Sequence, residues 1–403
     1  MRPTDVSVAR DVDKMQKQNK IKILDEVKKN KTRALWEEIF HEDSQSFVDY
    51  YYACKIPHNI TYGGEKKTQQ EVEADKLVSM LHLTPYVMEG KNGQCFDSFY
   101  VVGVGTKEAY RHQGLMQDML TEALSDCNKR KIPFVFLMPA SPLIYEPYDF
   151  SYIYDRDEYE WCAPKSPEEY AVSGEEVIIG QQKENNAVYF KITDPEEYEE
   201  IAEFSNGILR EWVDYFCLRS KEYYETMEAE LKSQKGHIIG IYKKNAGLQG
   251  ILLYAMEEKV FIQELLCKQK DLLSGLVRKV GEKPIIMARI THMASFLELF
   301  YTKGKEVMLT FGIRDKWVKE NEGIYEWHVT DRISEAVKTA ELSAPEETVK
   351  NGKIAKEKED IPVFEISELL ALLFGRKSCQ ELENGRVFGE IVPWKRGHIN
   401  EIV

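Results

Sequence analysis

The residues with the clearest chemical potential lie within positions 99–127. A run of β-forming residues ends at Thr106, and from Leu115 onward apolar residues recur three and four positions apart, which predicts a helix with one buried face. The loop between strand and helix carries Arg111, and Gly114 stands at the helix start. Unpaired backbone N–H groups at a helix start, the helix dipole and a guanidinium all attract negative charge. The segment therefore predicts a binding site for a diphosphate.

Two common nucleotide-binding loops are excluded, since no Gly-Lys-Ser/Thr follows and three spaced glycines are missing. The run Arg111-His112-Gln113-Gly114-Leu115-Met116 instead resembles the Arg/Gln-x-x-Gly-x-Gly/Ala signature of the GNAT N-acetyltransferase superfamily, with Met116 where a small residue is usual. The strand end Val104-Gly105-Thr106 resembles the Val-x-Val/Thr that precedes this signature. The resemblance implies that both runs bind acetyl-CoA, and that Ala140 and Ser141 lie at the rim of a gap for its pantetheine arm. A plain strand-to-helix connection is the alternative.

A tyrosine follows at the separation that the superfamily uses for its general acid. The segment from Pro142 to Phe150 resembles the superfamily's "IYxxxGF", with Asp149 where glycine is usual, and Tyr145 lies 34 positions after Arg111. A phenol with a pKa of about 10 can protonate a departing thiolate whose pKa is about 8.5. The resemblance therefore implies that Tyr145 is the acid. Because five tyrosines lie between positions 145 and 159, a purely structural aromatic cluster is the alternative.

Composition narrows the class of protein and of substrate. A chain of 403 residues, 43% hydrophobic, should form two or three globular domains. With 54 basic against 68 acidic residues, the net charge of −14 argues against nucleic acid and favours a cationic substrate. Seven scattered cysteines without Cys-x-x-Cys predict neither a disulfide framework nor a zinc site, and we expect no metal. No apolar leader or 18-residue apolar span occurs, so we expect a cytoplasmic protein without a membrane span.

The N-terminal helices are predicted to form the side of the cleft that binds the amine, which is the acceptor of the acetyl group. Helical apolar spacing covers residues 21–40, and an aromatic-rich amphipathic segment covers 44–52. In the resembled fold these helices line the acceptor cleft, so Trp36 and the acids Glu42 and Asp43 are candidate contacts for a protonated amine. A buried tryptophan beside a solvated acidic pair is the alternative. Residues 57–70, with the pair Gly63-Gly64, are predicted to be a loop.

The remainder predicts two further domains. A charged, proline-containing stretch at 158–173 marks a first boundary, and mixed strands and helices follow, among them helix 221–233 and strand 237–243. A second boundary near 281–284 precedes strand pairs at 306–314 with 323–330 and around the turn at 351–352, and then a helix that Ser367 should cap. We predict a catalytic domain over 1–160, a second GNAT-like domain without the CoA signature over 161–284, and a C-terminal domain over 285–403.

The C-terminal third carries a second, more specific resemblance. Met-Ala-Arg-Ile at 287–290, the Asp315-x-x-x-x-x-Asn321-x-Gly323 spacing, the run Leu369 to Gly375 and the ending Ile-Asn-Glu-Ile-Val resemble the sterol-carrier-protein-like domain of the Eis (enhanced intracellular survival) acetyltransferase family. That resemblance implies a hexamer. It also implies that Glu401 lines the acceptor pocket and that the α-carboxylate of Val403 is the general base.

These observations predict an α/β protein with mixed sheets, in which tandem GNAT-like domains precede a sterol-carrier-protein-like domain. The predicted function is acetyl transfer from acetyl-CoA to a primary amine of an aminoglycoside-like molecule, a polyamine or a lysine side chain, by direct attack. A non-catalytic lipid- or sterol-binding protein with a vestigial or regulatory CoA site is the alternative.

Overall fold

The computed structural model describes residues 20–66, 76–178, 187–256, 258–269, 271–342 and 361–401. The chain forms two compact units. Unit 1 comprises residues up to Pro85 together with Tyr100–Asp126, and unit 2 comprises Tyr86–Phe99 together with Cys127–Val403. Each unit is described by itself.

Unit 1 is an antiparallel sheet with helices. The sheet places β2 between β1 and β3, and β3 lies beside β4. A π-helical turn, Tyr51–Lys55, follows the third helix. The elements of this part of the chain are the strands β1 (Lys20–Ile23), β2 (Ile60–Lys66), β3 (Lys76–Gly90) and β4 (Cys95–Thr106), and the helices α1 (Glu26–Lys29), α2 (Thr32–Ile39), α3 (Gln45–Tyr50) and α4 (Leu115–Lys129).

Two predictions for unit 1 were wrong. Residues 57–70 were predicted to be a loop, but Ile60–Lys66 is a strand paired with both β1 and β3. A Cβ on Gly63 would lie 2.6 Å from a methyl of Leu77 and 2.9 Å from one of Leu24, so glycine allows close packing within a strand here. Helical spacing was also read from residue 21, where the structure has β1 before the helices begin.

Unit 2 contains a long antiparallel sheet and a separate small sheet with one parallel pair of strands. The long sheet has the order β5-β13-β6-β12-β11-β10-β8-β7, and the small one has the order β16-β15-β14-β17. The strands are β5 (Phe134–Leu137), β6 (Ser151–Trp161), β7 (Val177–Ile178), β8 (Ala187–Ile192), β9 (Tyr215–Cys217), β10 (His237–Lys243), β11 (Gly247–Met256), β12 (Val260–Cys267), β13 (Val277–Ile290), β14 (Val307–Arg314), β15 (Gly323–Val329), β16 (Ser334–Ala340), β17 (Val363–Glu365) and β18 (Gly397–His398). The helices are α5 (Pro142–Tyr145), α6 (Pro167–Ser173), α7 (Tyr198–Trp212), α8 (Lys221–Ser233), α9 (Met293–Leu297) and α10 (Ile366–Leu373).

Strand β13 is inserted between two strands that lie close together in sequence. It pairs antiparallel with β5 through residues 287–290, and with β6 from Val277↔Trp161 to Ala288↔Ser151. The strand continues without a break through the boundary predicted at 284/285. The division into three domains and the sterol-carrier-like character of the last of them stay predictions.

Two further predictions, for the small sheet and for the helix that follows it, were wrong. Strand β16 pairs with β15, whereas β17 pairs in parallel with β14, so the described strands on either side of the predicted turn at 351–352 lie at opposite edges of the sheet. The turn itself lies outside the described residues. Helix α10 begins at Ile366 and is capped by Glu365, whose side chain forms a reciprocal capping box with Glu368, so the prediction of Ser367 as the cap was wrong.

Two features are absent from the described residues. None of their helices is both long enough and apolar enough to span a membrane. They also contain no group of three or more His, Cys, Asp or Glu side chains arranged to hold a metal ion.

Candidate functional site: an anion-binding loop and the groups predicted around it

The loop that carries Arg111 is shaped by left-handed residues. Strand β4 ends at Thr106, and α4 begins at Leu115. Between them His112 has φ +59° and Gly114 has φ +80°. Successive changes of backbone hand turn neighbouring N–H groups toward a common concavity, which suits an anion. A Cβ on Gly114 would meet nothing within 4 Å, so the conformation rather than the space favours glycine here.

Side chains hold this loop to the end of β4. Arg111 Nε donates a hydrogen bond of 3.1 Å to the Thr106 carbonyl, and the rest of the exposed guanidinium faces solvent. Ser79 Oγ donates to the Gly105 carbonyl at 2.9 Å and contacts Thr106 Oγ1 at 2.6 Å. The first N–H groups of α4 have no partner within the helix. The structure thus brings Thr106, Arg111 and the helix start together, and these groups fit a diphosphate.

The flanking signature residues divide into buried and open positions. Leu115 is 2% exposed and packs against Gly64 of β2, whereas Met116 is half-buried and His112 and Gln113 are exposed. Leu115 therefore fixes the first turn of α4 to the sheet of unit 1. The strand residue Val104 is half-buried and Gly105 is buried, and a Cβ on Gly105 would lie 2.9 Å from Ile39.

A buried aromatic cluster stands behind β4 in unit 1. The Trp36 ring stacks on His82 with centroids 5.7 Å apart, and Tyr51 Oη lies 3.0 Å from His82 Nδ1. At the surface, Trp36 Nε1 donates to Asp43 Oδ2 at 2.8 Å. Partial burial, reinforced by Glu42, raises the pKa of the Asp43 carboxyl in spite of this hydrogen bond. Since Trp36 is 3% exposed, the group that this pair offers to an acceptor is the carboxylate of the exposed Asp43.

Gly103 gives β4 an irregularity that the sequence analysis missed. Its φ is +61° in mid-strand, and a Cβ there would lie 2.6 Å from Trp36 Cζ3 and 3.0 Å from His82 Nδ1. Both the backbone conformation and the contact with the rings therefore require glycine. The run Val-Val-Gly-Val-Gly gave the only available signal, and it does not distinguish Gly103 from Gly105.

Replacing Gly103 with Ala is expected to lower the free energy of unfolding by about 3 kcal/mol, because the variant pays for a left-handed alanine and for overpacking against Trp36. Chemical denaturation measures the change. Gly93→Ala is the matched control, since Gly93 also has positive φ but its Cβ would meet nothing within 4 Å. Equal losses in the two variants would contradict the packing argument.

His82 should give the protein a defined response to acid. Burial lowers the pKa of His82 from 6.5 to about 3. Between those pH values the unfolded chain binds a proton at His82 that the folded chain does not bind. The contribution of neutral His82 to the free energy of unfolding is therefore complete above pH 6.5 and is lost as the pH falls toward 3. We expect His82→Phe to remove a slope of up to about 1.4 kcal/mol per pH unit from the unfolding free energy in this window. Urea titrations at several pH values measure it, and identical slopes would contradict the assignment.

In unit 2, the predicted acid Tyr145 ends helix α5. It is 8% exposed, and its ring packs edge-on against Phe150 with centroids 5.8 Å apart. Burial raises the pKa of the Tyr145 hydroxyl to about 12, so it keeps its proton at neutral pH. Ala140 is exposed, and Ser141, half-buried, precedes the helix without making a cap hydrogen bond through its side chain.

Asp149 and the residues after Tyr145 are held by a buried arginine. Asp149 adopts φ +65°, as the glycine usual at this position would, and its carboxylate lies 4.0 Å from Arg289 Nη2. Arg289 Nε donates to the Tyr148 carbonyl at 2.8 Å, and Nη2 donates to Asp315 Oδ1 at 2.6 Å. Arg289 and Asp315 are both fully buried. This pair therefore fixes the backbone just beyond the predicted acid.

The spacing of Asp315 and Asn321 has a structural explanation within unit 2. Asn321 Nδ2 donates to Asp315 Oδ2 at 3.0 Å, and Asn321 Oδ1 accepts from the backbone N–H of Met293 at 3.0 Å. Asp315 Oδ1 also accepts the N–H groups of Trp317 and Val318. Asp315 and Asn321, whose spacing contributed to the second resemblance, thus form a buried network that joins the connection between β14 and β15 to β13 and α9.

The C-terminal segment is held in unit 2 by charge. Strand β18 pairs in parallel with β9, and His398 Nε2 lies within hydrogen-bond distance of Glu264 Oε1. Arg219 Nη2 donates to the same oxygen at 2.8 Å, and both members of this pair are fully buried. Burial opposes ionisation of Glu264, but Arg219 and then His398 outweigh it and hold the pKa of that carboxyl below its usual value.

Glu401, predicted to line the acceptor pocket, is 3% exposed. Burial, and then the charge of Glu401, raise the pKa of the Cys217 thiol. Val403, the predicted base, lies outside the described residues. Sequence reasoning missed Arg219, Glu264 and His398, since nothing in their spacing connects them.

Part of this sequence is similar to a known protein family. Residues 20–153 match the family profile described as an acetyltransferase (GNAT) domain. The sequence has no significant match among curated proteins.

Solved structures resemble nearly the whole chain in fold. A probable N-acyltransferase of unknown function from Enterococcus faecalis V583 is 15% identical with a TM-score of 0.68, covering 93% of this chain and 94% of that one. A GCN5-related N-acetyltransferase from Anabaena variabilis is 13% identical with a TM-score of 0.66, at 93% and 94% coverage. Eis1 from Mycobacterium abscessus is 11% identical with a TM-score of 0.60, at 93% coverage of both chains. The chain therefore has the mixed α/β fold of these proteins, and residues 20–153 are similar to an acetyltransferase (GNAT) domain.

Proposed function

We propose that this protein transfers an acetyl group from acetyl-CoA to a primary amine on a cationic acceptor. The observation that carries the proposal is the loop after β4, where left-handed backbone at His112 and Gly114, the Arg111 guanidinium and the start of α4 meet. Acetyl-CoA would supply an activated thioester, and this loop would bind its diphosphate through backbone N–H groups and one cation.

In the proposed reaction the protein positions the two substrates and transfers protons. An amine that attacks a thioester directly needs a proton removed from itself and a proton supplied to the departing sulfur. Tyr145 is proposed as the donor to sulfur, since its hydroxyl is protonated over the working range of pH. Direct attack is proposed rather than an acyl-enzyme, because a nucleophilic cysteine needs a lowered thiol pKa, whereas burial raises the pKa of the Cys95 thiol.

The acceptor class is proposed from charge. The chain has a net charge of −14. Asp43 presents a carboxylate at the surface of unit 1, held by Trp36, and Glu401 is the acid predicted for the pocket. Carboxylates of this kind would bind and orient an ammonium group. Aminoglycoside-like molecules, polyamines and lysine side chains share that group. The lipid-binding alternative is not favoured, since the family match is to an acetyltransferase.

A thiol-release assay with acetyl-CoA and a panel of polyamines, lysine peptides and aminoglycosides tests the proposal. We expect amine-dependent release of CoA by the full-length protein. Arg111→Gln should raise the Kd for CoA about tenfold through loss of one charge-assisted contact. Arg130→Gln, which removes an exposed arginine just beyond the other end of α4, should not. Absence of turnover across the panel, together with no binding of CoA by calorimetry, would refute the proposal.

The role proposed for Val403 has a test of its own. If its α-carboxylate takes the proton of the amine, adding residues after Val403 should abolish turnover while the Kd for CoA stays unchanged, because the carboxylate would be replaced by an amide. The comparison is between a protein that ends at Val403 and one extended by two glycines. Full activity of the extended protein would remove the carboxylate from the mechanism.

A further inference from the structure

Two neighbouring strands of the long sheet in unit 2 separate along most of their length. Strands β6 and β12 pair at one position, Glu160↔Phe261. On its other side β12 pairs with β11 throughout, and β6 pairs with β13 throughout. The divergence is therefore a local opening within an otherwise continuous sheet. A cavity of about 370 Å³ lies in this opening, lined by residues 154–157 of β6, residues 263–266 of β12 and residues 395–398 before and within β18.

A buried arginine without a counter-ion lines that cavity. Arg156 is 8% exposed, and its Nε and Nη1 atoms are fully buried and make no hydrogen bond with any described residue. The guanidinium carbon lies 5.2 Å from the centroid of the Phe261 ring, and the charge of Glu158, which is itself paired with Lys283, also favours the charged guanidinium. Burial lowers the pKa of Arg156. A buried guanidinium with unsatisfied donors costs several kcal/mol unless an anion compensates it.

Most acidic side chains that line the cavity are paired with cations, whereas several of its basic side chains are not paired. Four of the lining carboxylates are already paired with cations: Asp155 with Arg376, Asp157 and Glu282 with Lys279, and Glu264 with Arg219. Glu211 is the one lining acid for which the described residues show no ion pair. Lys395 and Arg396 line the same space, are exposed, and form no ion pair with the described residues. Three cations, Arg156 among them, thus face the cavity against one unpaired carboxylate.

We propose that this opening binds a small organic anion that carries a phosphate or carboxylate group, with Arg156 as the anchor and Lys395 and Arg396 at the entrance. The cavity volume lies within the range of small-molecule sites. A planar guanidinium with free donors matches the oxygens of either group in a bidentate geometry. The site is independent of acetyl transfer, since none of the residues proposed for that reaction lines it.

Calorimetric titration of the full-length protein with pyrophosphate and, separately, with citrate tests this proposal and distinguishes the two anionic groups. We expect at least one of them to bind, and Arg156→Gln to weaken that binding at least tenfold. Because pyrophosphate could also occupy the loop after β4, Arg111→Gln is titrated in parallel, and the heat that belongs to the cavity must survive in it. Arg332→Gln, which removes an exposed arginine after β15, controls for net charge.

Loss of Arg156 leaves no described partner unpaired, so Arg156→Gln should unfold at a temperature no lower than the wild type. The binding anion should raise the unfolding temperature of the wild type and leave that of Arg156→Gln unchanged. Failure of both anions to bind, or equal affinity in wild type and Arg156→Gln, would overturn the proposal. Neither result would bear on the acetyltransferase function, which is measured by CoA release.

Discussion

Tyr145→Phe is expected to lower kcat for the proposed acetyl transfer by about 100-fold or more, because the departing thiolate would lose the proton donor proposed for it. The Kd for acetyl-CoA should stay unchanged, since the ring and its contact with Phe150 are preserved. Stopped assays of thiol release at saturating substrate, with calorimetry for binding, measure the two quantities separately.

The pH dependence of the rate and a control substitution at a neighbouring tyrosine add two further tests of this role. The pKa of Tyr145 is about 12, so the acid form persists and its role should not cause a loss of rate at any pH below about 11. Tyr152→Phe removes a hydroxyl from half-buried Tyr152 on β6 and is the control, with an expected change in kcat of less than threefold. A Tyr145→Phe enzyme as active as the Tyr152→Phe enzyme would exclude Tyr145 as the acid.

Arg289→Met is expected to reduce the free energy of unfolding by about 3–5 kcal/mol, because Asp315 would remain as a buried charge without its cation. The Tyr148 and Ile290 carbonyls, which accept from Arg289 at 2.8 Å and 2.6 Å, would also lose their donors. Urea denaturation measures the loss. Turnover should fall at temperatures where the variant is folded, since the segment after Tyr145 would lose its support.

An exposed arginine provides the comparison for Arg289. Arg314 lies 3.7 Å from Glu365, and both side chains are 54% exposed, so Arg314→Met should cost no more than about 1 kcal/mol. Adding Asp315→Asn to Arg289→Met should recover part of the loss, because it removes the unpaired buried charge while the side-chain oxygen can still accept from the N–H groups of Trp317 and Val318. Similar losses for Arg289→Met and Arg314→Met would contradict a buried-charge mechanism.

Elements with strong local signals could be predicted closely from the sequence. Helix 221–233 and strand 237–243 were predicted with the bounds that the structure has. Ser220 caps that helix by accepting from the Tyr223 N–H at 3.1 Å, and the strand has an apolar centre between His237 and Lys243. Strand β2 was missed because Gly63-Gly64 is typical of a turn, while its reason here is packing against side chains of other elements. Local composition does not contain that information.

In the candidate site, too, the features that are contiguous in sequence could be predicted, and the contacts between distant residues could not. The loop at 106–116 was predictable because strand, cation, glycine and helix start are contiguous in sequence. The support behind it was not: Arg289 acts on Tyr148 and Asp315, which lie 141 and 26 positions away, and Glu264 joins Arg219 to His398 across 45 and 134 positions. Such roles depend on the three-dimensional arrangement, so a single sequence shows Arg289 as one arginine in an apolar run.

The insertion of β13 between β5 and β6 has a consequence for how this gene can be divided. A polypeptide that stopped at residue 160 would contain both flanking strands but not the one that hydrogen-bonds to each of them. Their exposed backbone edges would then invite pairing with other molecules, so we expect such a fragment to aggregate when expressed alone. Translation must therefore pass residue 290 before β5 and β6 can both pair with the strand that lies between them.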